Sequence, residues 1–305
     1  MTDGELTMAW HAERRPQAPA VIMGSSGETV AYGDLDDRSR RFAAALRRTG
    51  VPAGAHIAIL MENNARYLEV AWAAQRSGLY YTAINSRLRP AEVQYILDDC
   101  GAVALISSEA MADVVAALDL SRLRLRVVAA GTLPGFEQYG HLISRADPSV
   151  LASEQEGREM LYSSGTTGRP KGVRKSRPGT PMGDPAAAPV QVAAGIAALG
   201  GGPTSVYLSP APLYHSAPLV WSMSMQRVGA AVVVMERFDP RQCLDLIERY
   251  RVTHAQFVPT MFVRMLRLPP EERSRYDVTS LQFVVHAAAP CPIPVKRQMI
   301  EWWGP

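Results

Sequence analysis

Short apolar runs alternate with longer amphipathic stretches along most of the chain. Runs such as His56-Ile-Ala-Ile-Leu60 and Val103-Ala-Leu-Ile106 have the length and composition of buried strands. In the stretches between them, apolar residues recur every three or four positions, which is the spacing of one helix face. Parallel strands need long crossover connections, so alternation of strands and helices is typical of helix-covered parallel sheets. The pattern therefore predicts an α/β fold with mainly parallel sheets.

Turn and capping residues predict where these elements begin and end. We expect Asp34 to cap a helix that runs through Arg48 and stops at Gly50. Further helices are expected at about 65–76, from Pro90 onward, and at about 186–199, 240–250, 260–268 and 292–303. The predicted strands are 29–32, 56–60, 80–84, 103–106, 125–129, 205–208, 230–235, 254–257 and 281–285.

The composition is that of an ordinary globular protein. Apolar residues make up 47% of the chain, enough for a large core. The 32 Lys and Arg residues exceed the 29 Asp and Glu residues by only +3, and no basic run exceeds two residues. This balance gives no electrostatic footprint for nucleic-acid binding.

The cysteines and the N-terminal residues bear on the compartment. The three cysteines, Cys100, Cys243 and Cys291, are far apart, which predicts neither a disulfide framework nor a zinc site. The first thirty residues carry several charges and no continuous apolar stretch, so a secretory signal is not expected. No run approaches the roughly 18 apolar residues of a membrane span. We therefore expect a cytoplasmic protein without a transmembrane segment.

The segment Tyr162-Ser-Ser-Gly-Thr-Thr-Gly-Arg-Pro-Lys-Gly172 has the composition of a phosphate-binding loop. Its glycines, which include Gly165 and Gly168, let backbone N–H groups approach an anion closely. Lys171 adds a mobile cation that suits a phosphate. Four hydroxyl groups supply further donors, those of Ser163, Ser164, Thr166 and Thr167. A flexible linker is the alternative, but a linker would not need the Pro-Lys-Gly end.

The spacing of this segment differs from that of a Walker A loop, because Lys171 is followed by Gly172 rather than by Ser or Thr. It closely resembles the phosphate loop of the adenylate-forming (AMP-binding) superfamily, and within it the acyl-CoA synthetases or fatty-acid–CoA ligases. Further segments match the family in the same order: Tyr32-Gly-Asp-Leu35, Ala58-Ile-Leu-Met-Glu-Asn63, Pro210-Ala-Pro-Leu-Tyr-His215, Val258-Pro-Thr260 and His286-Ala-Ala-Ala-Pro290. The continuation Val173-Arg-Lys-Ser-Arg-Pro-Gly179 departs from the family pattern, which leaves the acyl subgroup open.

The resemblance implies an architecture of two similar α/β subdomains that share a cleft. Residues 51–176, ending in the phosphate loop, would form one subdomain, and residues 1–50 together with 180–305 would form the other. The family's later motifs, which hold ribose and magnesium and supply a lid lysine, are not found in these 305 residues. The resemblance therefore implies an N-terminal portion without the C-terminal lid, which we expect to be inactive alone. A homodimer is possible.

The resemblance also implies an activity and its cofactors. The expected reaction is ATP-dependent activation of a carboxylic acid to acyl-AMP and then to acyl-CoA, with ATP, magnesium and coenzyme A. Two alternatives stay open. The acyl-AMP could be handed to a carrier protein instead of CoA, or the chain could be a nucleotide-binding module that does not turn over.

The family motifs assign expected roles to individual residues. Residues 163–168 and Lys171 would hold the β- and γ-phosphates, and His215 would line the entrance where carboxylate and thiol meet. Ala288, Ala289 and Pro290 lie at a predicted strand end and would pack against adenine. Structural alternatives stay open, namely a packing role for His215 and close helix–strand packing for 288–290. Two locations stay open for the apolar residues Trp221, Met223 and Met225, namely the wall of an acyl pocket and the hydrophobic core.

Overall fold

The computed structural model describes residues 6–151, 153–163, 170–177 and 179–304, apart from the side chain of Ser163. The strands are β1 (Pro19–Met23), β2 (Thr29–Ala31), β3 (His56–Leu60), β4 (Tyr80–Ala83), β5 (Ala102–Ser108), β6 (Leu125–Ala130), β7 (Glu137–Gln138), β8 (Arg158–Ser163), β9 (Lys171–Arg174), β10 (Val206–Ser209), β11 (Ala231–Val234), β12 (His254–Phe257) and β13 (Phe283–His286).

The α-helices are α1 (Met8–Arg14), α2 (Tyr32–Arg48), α3 (Tyr67–Arg76), α4 (Pro90–Cys100), α5 (Ala112–Ala116), α6 (Tyr139–Ser144), α7 (Ala188–Ala198), α8 (Ser216–Arg227), α9 (Pro240–Tyr250), α10 (Pro259–Leu266), α11 (Pro270–Arg273) and α12 (Ile293–Trp303). No helix within the described ranges is both long and apolar enough to cross a lipid bilayer.

The strands form two sheets that are parallel except at one edge of each. The first has the order β7-β6-β5-β3-β4-β8-β9, and the second has the order β13-β12-β10-β11-β1-β2. Only the β8–β9 and β1–β2 pairs are antiparallel among the described strands. The second sheet takes β1 and β2 from the start of the chain, and Val21 pairs with Val232. This connectivity brings β1 and β2, at residues 19–31, beside the strands of residues 206–286 in one sheet.

A buried hydrogen-bond cluster joins helices α2, α3 and α8. The indole of Trp72 donates to the side-chain oxygen of Gln226 at 2.6 Å. The hydroxyl of Tyr32 donates to the carbonyls of Gln226 and Ala230 at 3.1 and 2.9 Å. All three side chains are fully buried, so these polar atoms need such partners. The cluster fixes α8, whose exposed face lines the cavity described below, against the two earlier helices.

The fold class expected from the sequence is confirmed, because two mostly parallel sheets flanked by helices are present. Several boundaries agree to the residue, among them 56–60, 240–250 and 254–257. The subdomain limits of 51–176 and of 1–50 with 180–305 stay a prediction.

The expected N-cap at Asp34 is wrong. Helix α2 begins at Tyr32 and its N-cap is Ala31, so Asp34 lies in the first turn. The backbone N–H groups of Tyr32 and Gly33 donate to Ala18 and Pro16 instead, which satisfies the start of the helix without a side-chain cap. Sequence reasoning also missed several elements, among them α1, β1 and α8.

Candidate active site

A cavity of about 630 Å³ lies at the carboxyl ends of three parallel strands of the second sheet. Ala211 follows β10, Val258 follows β12 and Ala288 follows β13, and all three line this cavity. Open α/β sheets bind their ligands at this edge, because loops there diverge and leave a crevice. The location agrees with a ligand-binding role.

Helix α8 forms one long wall of the cavity. The lining positions Ala217, Val220, Trp221 and Ser224 recur every three or four residues and therefore share one helix face. Helix α7 contributes a second apolar surface, which consists of Ala188, Pro189 and Val192. Trp221 and Met223 thus line the cavity, whereas Met225 is fully buried and belongs to the core. The wall can accommodate an apolar acyl group.

His215 lies at the rim of the cavity, at the N-cap of α8. The loop that carries it is fixed by buried Asn63, which donates to the carbonyls of Ala211 and Met235 and accepts from the N–H of Leu213 at 2.8 Å. Desolvation, and then the positive charge of Arg87, lowers the pKa of His215. The lowered pKa favours the neutral imidazole, which can form hydrogen bonds without carrying a positive charge.

Ala288 lies two residues beyond β13 with φ +72°. A non-glycine residue in this left-handed region is uncommon and costs free energy, so it is often found at functional sites. Ala288, Ala289 and Pro290 are all exposed, but of the three Ala288 alone lines the cavity. The structure thus brings Ala288 and His215 to the same cavity and leaves the other two residues outside it.

The two ends of the phosphate-loop segment lie in two antiparallel strands, β8 and β9. Strand β8 ends at Ser163, which pairs with Lys171 at the start of β9. Lys171 is exposed and does not contribute to the cavity lining. Two other residues of this hairpin region, Tyr162 and Lys175, do line the cavity. The expected phosphate ligands Ser164, Gly165, Thr166, Thr167 and Gly168 lie outside the described residues.

Charged groups that sequence reasoning missed form the end of the cavity farthest along α8. Arg227 Nη2 donates to Glu156 at 2.8 Å, and both side chains are only 1% exposed. Lys175 Nζ donates to Glu159 at 2.9 Å, and Arg158 lies 3.8 Å from the same carboxylate. Arg158, Glu159, Lys175 and Arg227 all line the cavity. The signal available in the sequence was the run Glu156-Gly-Arg-Glu159, in which acidic and basic residues alternate.

Magnesium cannot be assigned to residues of the described ranges. They contain no group of three or more His, Cys, Asp and Glu side chains that could hold a metal ion. That no carboxylate of this sequence can be nominated as a magnesium ligand stays a prediction.

Residues 8–305 match the model of a family described as AMP-binding enzyme. The chain belongs to the AMP-binding enzyme family. This AMP-binding chain is 31% identical over 293 residues to 4-coumarate–CoA ligase 1 of Oryza sativa subsp. japonica, covering 91% of itself and 51% of that ligase. It is 30% identical over 297 residues to feruloyl-CoA synthase of an Amycolatopsis species, covering 96% of itself and 56% of that enzyme.

Solved structures show the same fold. The inhibitor-bound N-terminal domain of FACL13 from Mycobacterium tuberculosis superposes with a TM-score of 0.81 at 23% identity, covering 97% of this chain and 72% of that chain. The family match over residues 8–305 confirms the resemblance to the AMP-binding superfamily. The AMP-binding chain spans about half the length of the curated relatives it matches.

Proposed function

We propose that this AMP-binding chain takes part in the ATP-dependent activation of a carboxylic acid to acyl-AMP, followed by transfer of the acyl group to coenzyme A. The observation that carries the proposal is the cavity itself. It has an apolar wall along α7 and α8, His215 and Ala288 at its rim, and two residues of the phosphate-loop hairpin in its lining. Acid and nucleotide would therefore meet at the strand ends.

In the proposed reaction a carboxylate oxygen attacks the α-phosphorus of ATP, the bond to the β-phosphate oxygen breaks, and pyrophosphate leaves. Coenzyme A then attacks the acyl carbon through its thiol sulfur, which loses its proton, and AMP leaves. The N-terminus of α8 at Ser216 favours an anion through its backbone N–H groups, which would orient the carboxylate. Lys171 and the loop at 163–168 would stabilise the negative charge that grows on pyrophosphate.

Acid-dependent exchange of labelled pyrophosphate into ATP tests this proposal directly. Lys171→Ala in the complete enzyme should lower kcat/KM for ATP by roughly 10- to 1000-fold, as loss of one charge-stabilising donor does. Lys296→Ala is the matched control, because this exposed lysine on α12 lies outside the cavity lining. Unchanged kinetics in Lys171→Ala would show that Lys171 does not take part in phosphate binding. A large loss of melting temperature would make it structural.

The acceptor and the context of the reaction belong to the same proposal. The relatives include CoA ligases and also a fatty acid–[acyl-carrier-protein] ligase, ScoC of Streptomyces coeruleorubidus, at 30% identity. Supplying either CoA or a pantetheinylated carrier protein to the acyl-AMP stage would decide between the acceptors.

We further propose that the 305 residues alone turn over slowly, since the relatives contain about as much chain again. Magnesium dependence, a cytoplasmic location and a homodimer stay predictions.

A further inference from the structure

We propose that the inner end of the cavity recognises a second oxygen acceptor on the tail of the substrate acid, preferably a carboxylate, through Arg227. This inference rests on the proposed role of the cavity as the acyl site and names the chemical class of the acid. A simple apolar tail would leave the inner end unmatched.

The cavity extends along the whole of α8. Its lining includes Ser216 at the first position of the helix and Arg227 at the last. Eleven residue steps at about 1.5 Å each separate these positions by roughly 16 Å. An acid whose reacting carboxylate lies near His215 can therefore place its tail toward Arg227.

The inner end is polar, in contrast to the apolar wall. Gln75 and Tyr81 line it, and the Tyr81 hydroxyl donates to Gln75 Oε1 at 2.9 Å. Among the charged groups there, three cations face two carboxylates, which leaves one positive charge in excess. The cations are Arg158, Lys175 and Arg227, and the carboxylates are Glu156 and Glu159. Such an excess favours an anionic ligand.

One buried donor at this end has no acceptor. Nη2 of Arg227 is used by Glu156, and the guanidinium lies over the ring of Trp72 at 5.1 Å, but Nη1 is buried without a hydrogen-bond partner among the described residues. A buried unsatisfied donor is costly, and a charged one more so. An oxygen of the ligand would satisfy it, and the guanidinium geometry suits a carboxylate best.

Calorimetric binding of paired acids to the chain tests the inference. The probes are straight-chain α,ω-dicarboxylic acids of increasing length, each compared with the monocarboxylic acid of equal length. At the length that spans the cavity, the diacid should bind roughly 10- to 100-fold tighter, as expected for one hydrogen bond to a charged group. If no length shows a preference for the diacid, the inference is overturned without any variant.

Two variants assign the preference to Arg227. Arg227→Lys keeps a cation beside Glu156 but removes the guanidinium fork, so most of the preference should disappear. Arg76→Lys is the matched control, since Arg76 is equally buried and ion-paired with Asp36 but does not line the cavity. A preference that survives Arg227→Lys, or that disappears in Arg76→Lys as well, contradicts the assignment.

Binding and exchange report separately on the two proposals. If diacids bind preferentially but no acid supports pyrophosphate exchange by the complete enzyme, the proposed activity is wrong and tail recognition stands. If monocarboxylic acids support exchange and diacids have no advantage in binding or kcat/KM, the activity stands and tail recognition is wrong.

Discussion

Removing the carboxylate of Glu156 should strongly destabilise the fold. This side chain accepts hydrogen bonds from Arg227 Nη2 and from the backbone N–H of Gly183, both at 2.8 Å, and from the amide of Gln75. Glu156 and Arg227 are both only 1% exposed, so the substitution removes the buried acceptor of the Arg227 Nη2 donor. Glu156→Ala therefore leaves a buried guanidinium without its counter-ion.

The expected loss follows from the burial of the pair. Breaking a buried ion pair by removing one partner costs about 3–5 kcal/mol in the free energy of unfolding. An exposed pair is different, because solvent screens it and its side chains are mobile. Asp245 and Arg249 on α9 form such a pair, at 2.7 Å with 41% and 56% of their side chains exposed. Asp245→Ala should cost at most about 0.5 kcal/mol.

Thermal melts of the two variants beside the unaltered chain measure this difference. Glu156→Ala should lower the melting temperature by roughly 10 °C, whereas Asp245→Ala should lower it little. The double variant Glu156→Leu with Arg227→Met should recover much of the loss, since an apolar pair needs no counter-ion. If Glu156→Ala melted like Asp245→Ala, the pair would not be the buried unit inferred from its contacts.

Two further predictions concern packing and pH. Gly157→Ala should lower the free energy of unfolding by about 1–3 kcal/mol. Its Cβ would lie within 2.8 Å of three backbone carbonyls, whereas Gly195→Ala, on α7 with open space around it, should be neutral or stabilising in the same melts. Burial lowers the pKa of His254, so the folded state binds this proton less readily than the unfolded state does. The contribution of His254 to the free energy of unfolding should therefore be complete above pH ~6.5 and decrease as the pH falls below that value. His254→Asn should reduce this decrease in thermal melts recorded at a series of pH values. Equal declines in both proteins would exclude His254 as a cause.

Elements with local signals could be predicted from the sequence. Helix α9 begins with Pro240 after Asp239, whose carboxylate accepts from the N–H groups of Arg241 and Gln242. Proline at the first position and aspartate at the N-cap are sufficient to locate such a start. The phosphate-loop motif was likewise recognisable, because its spacing is contained in eleven consecutive residues.

Features that depend on distant contacts could not be predicted. Helix α8 is buried on most sides, so the spacing of Trp221, Met223 and Met225 carries no amphipathic signal. Glu156 and Arg227 are 71 residues apart, and neither position is unusual alone. The polar inner end of the cavity arises only when β8 and α8 come together, which is why sequence reasoning made no prediction for it.

The placement of β1 has a consequence for the order in which the chain can fold during synthesis. Val21 finds its parallel partner Val232 only after roughly 200 further residues have been added. At about 5–20 residues per second, that interval lasts roughly 10–40 s. During that interval the edge of β1 that later pairs with β11 has no partner strand, whereas the strands of the first sheet have already been synthesised. The ribosome thus releases one nearly complete sheet before the other can close, and the waiting hairpin is the segment that a chaperone would have most reason to protect.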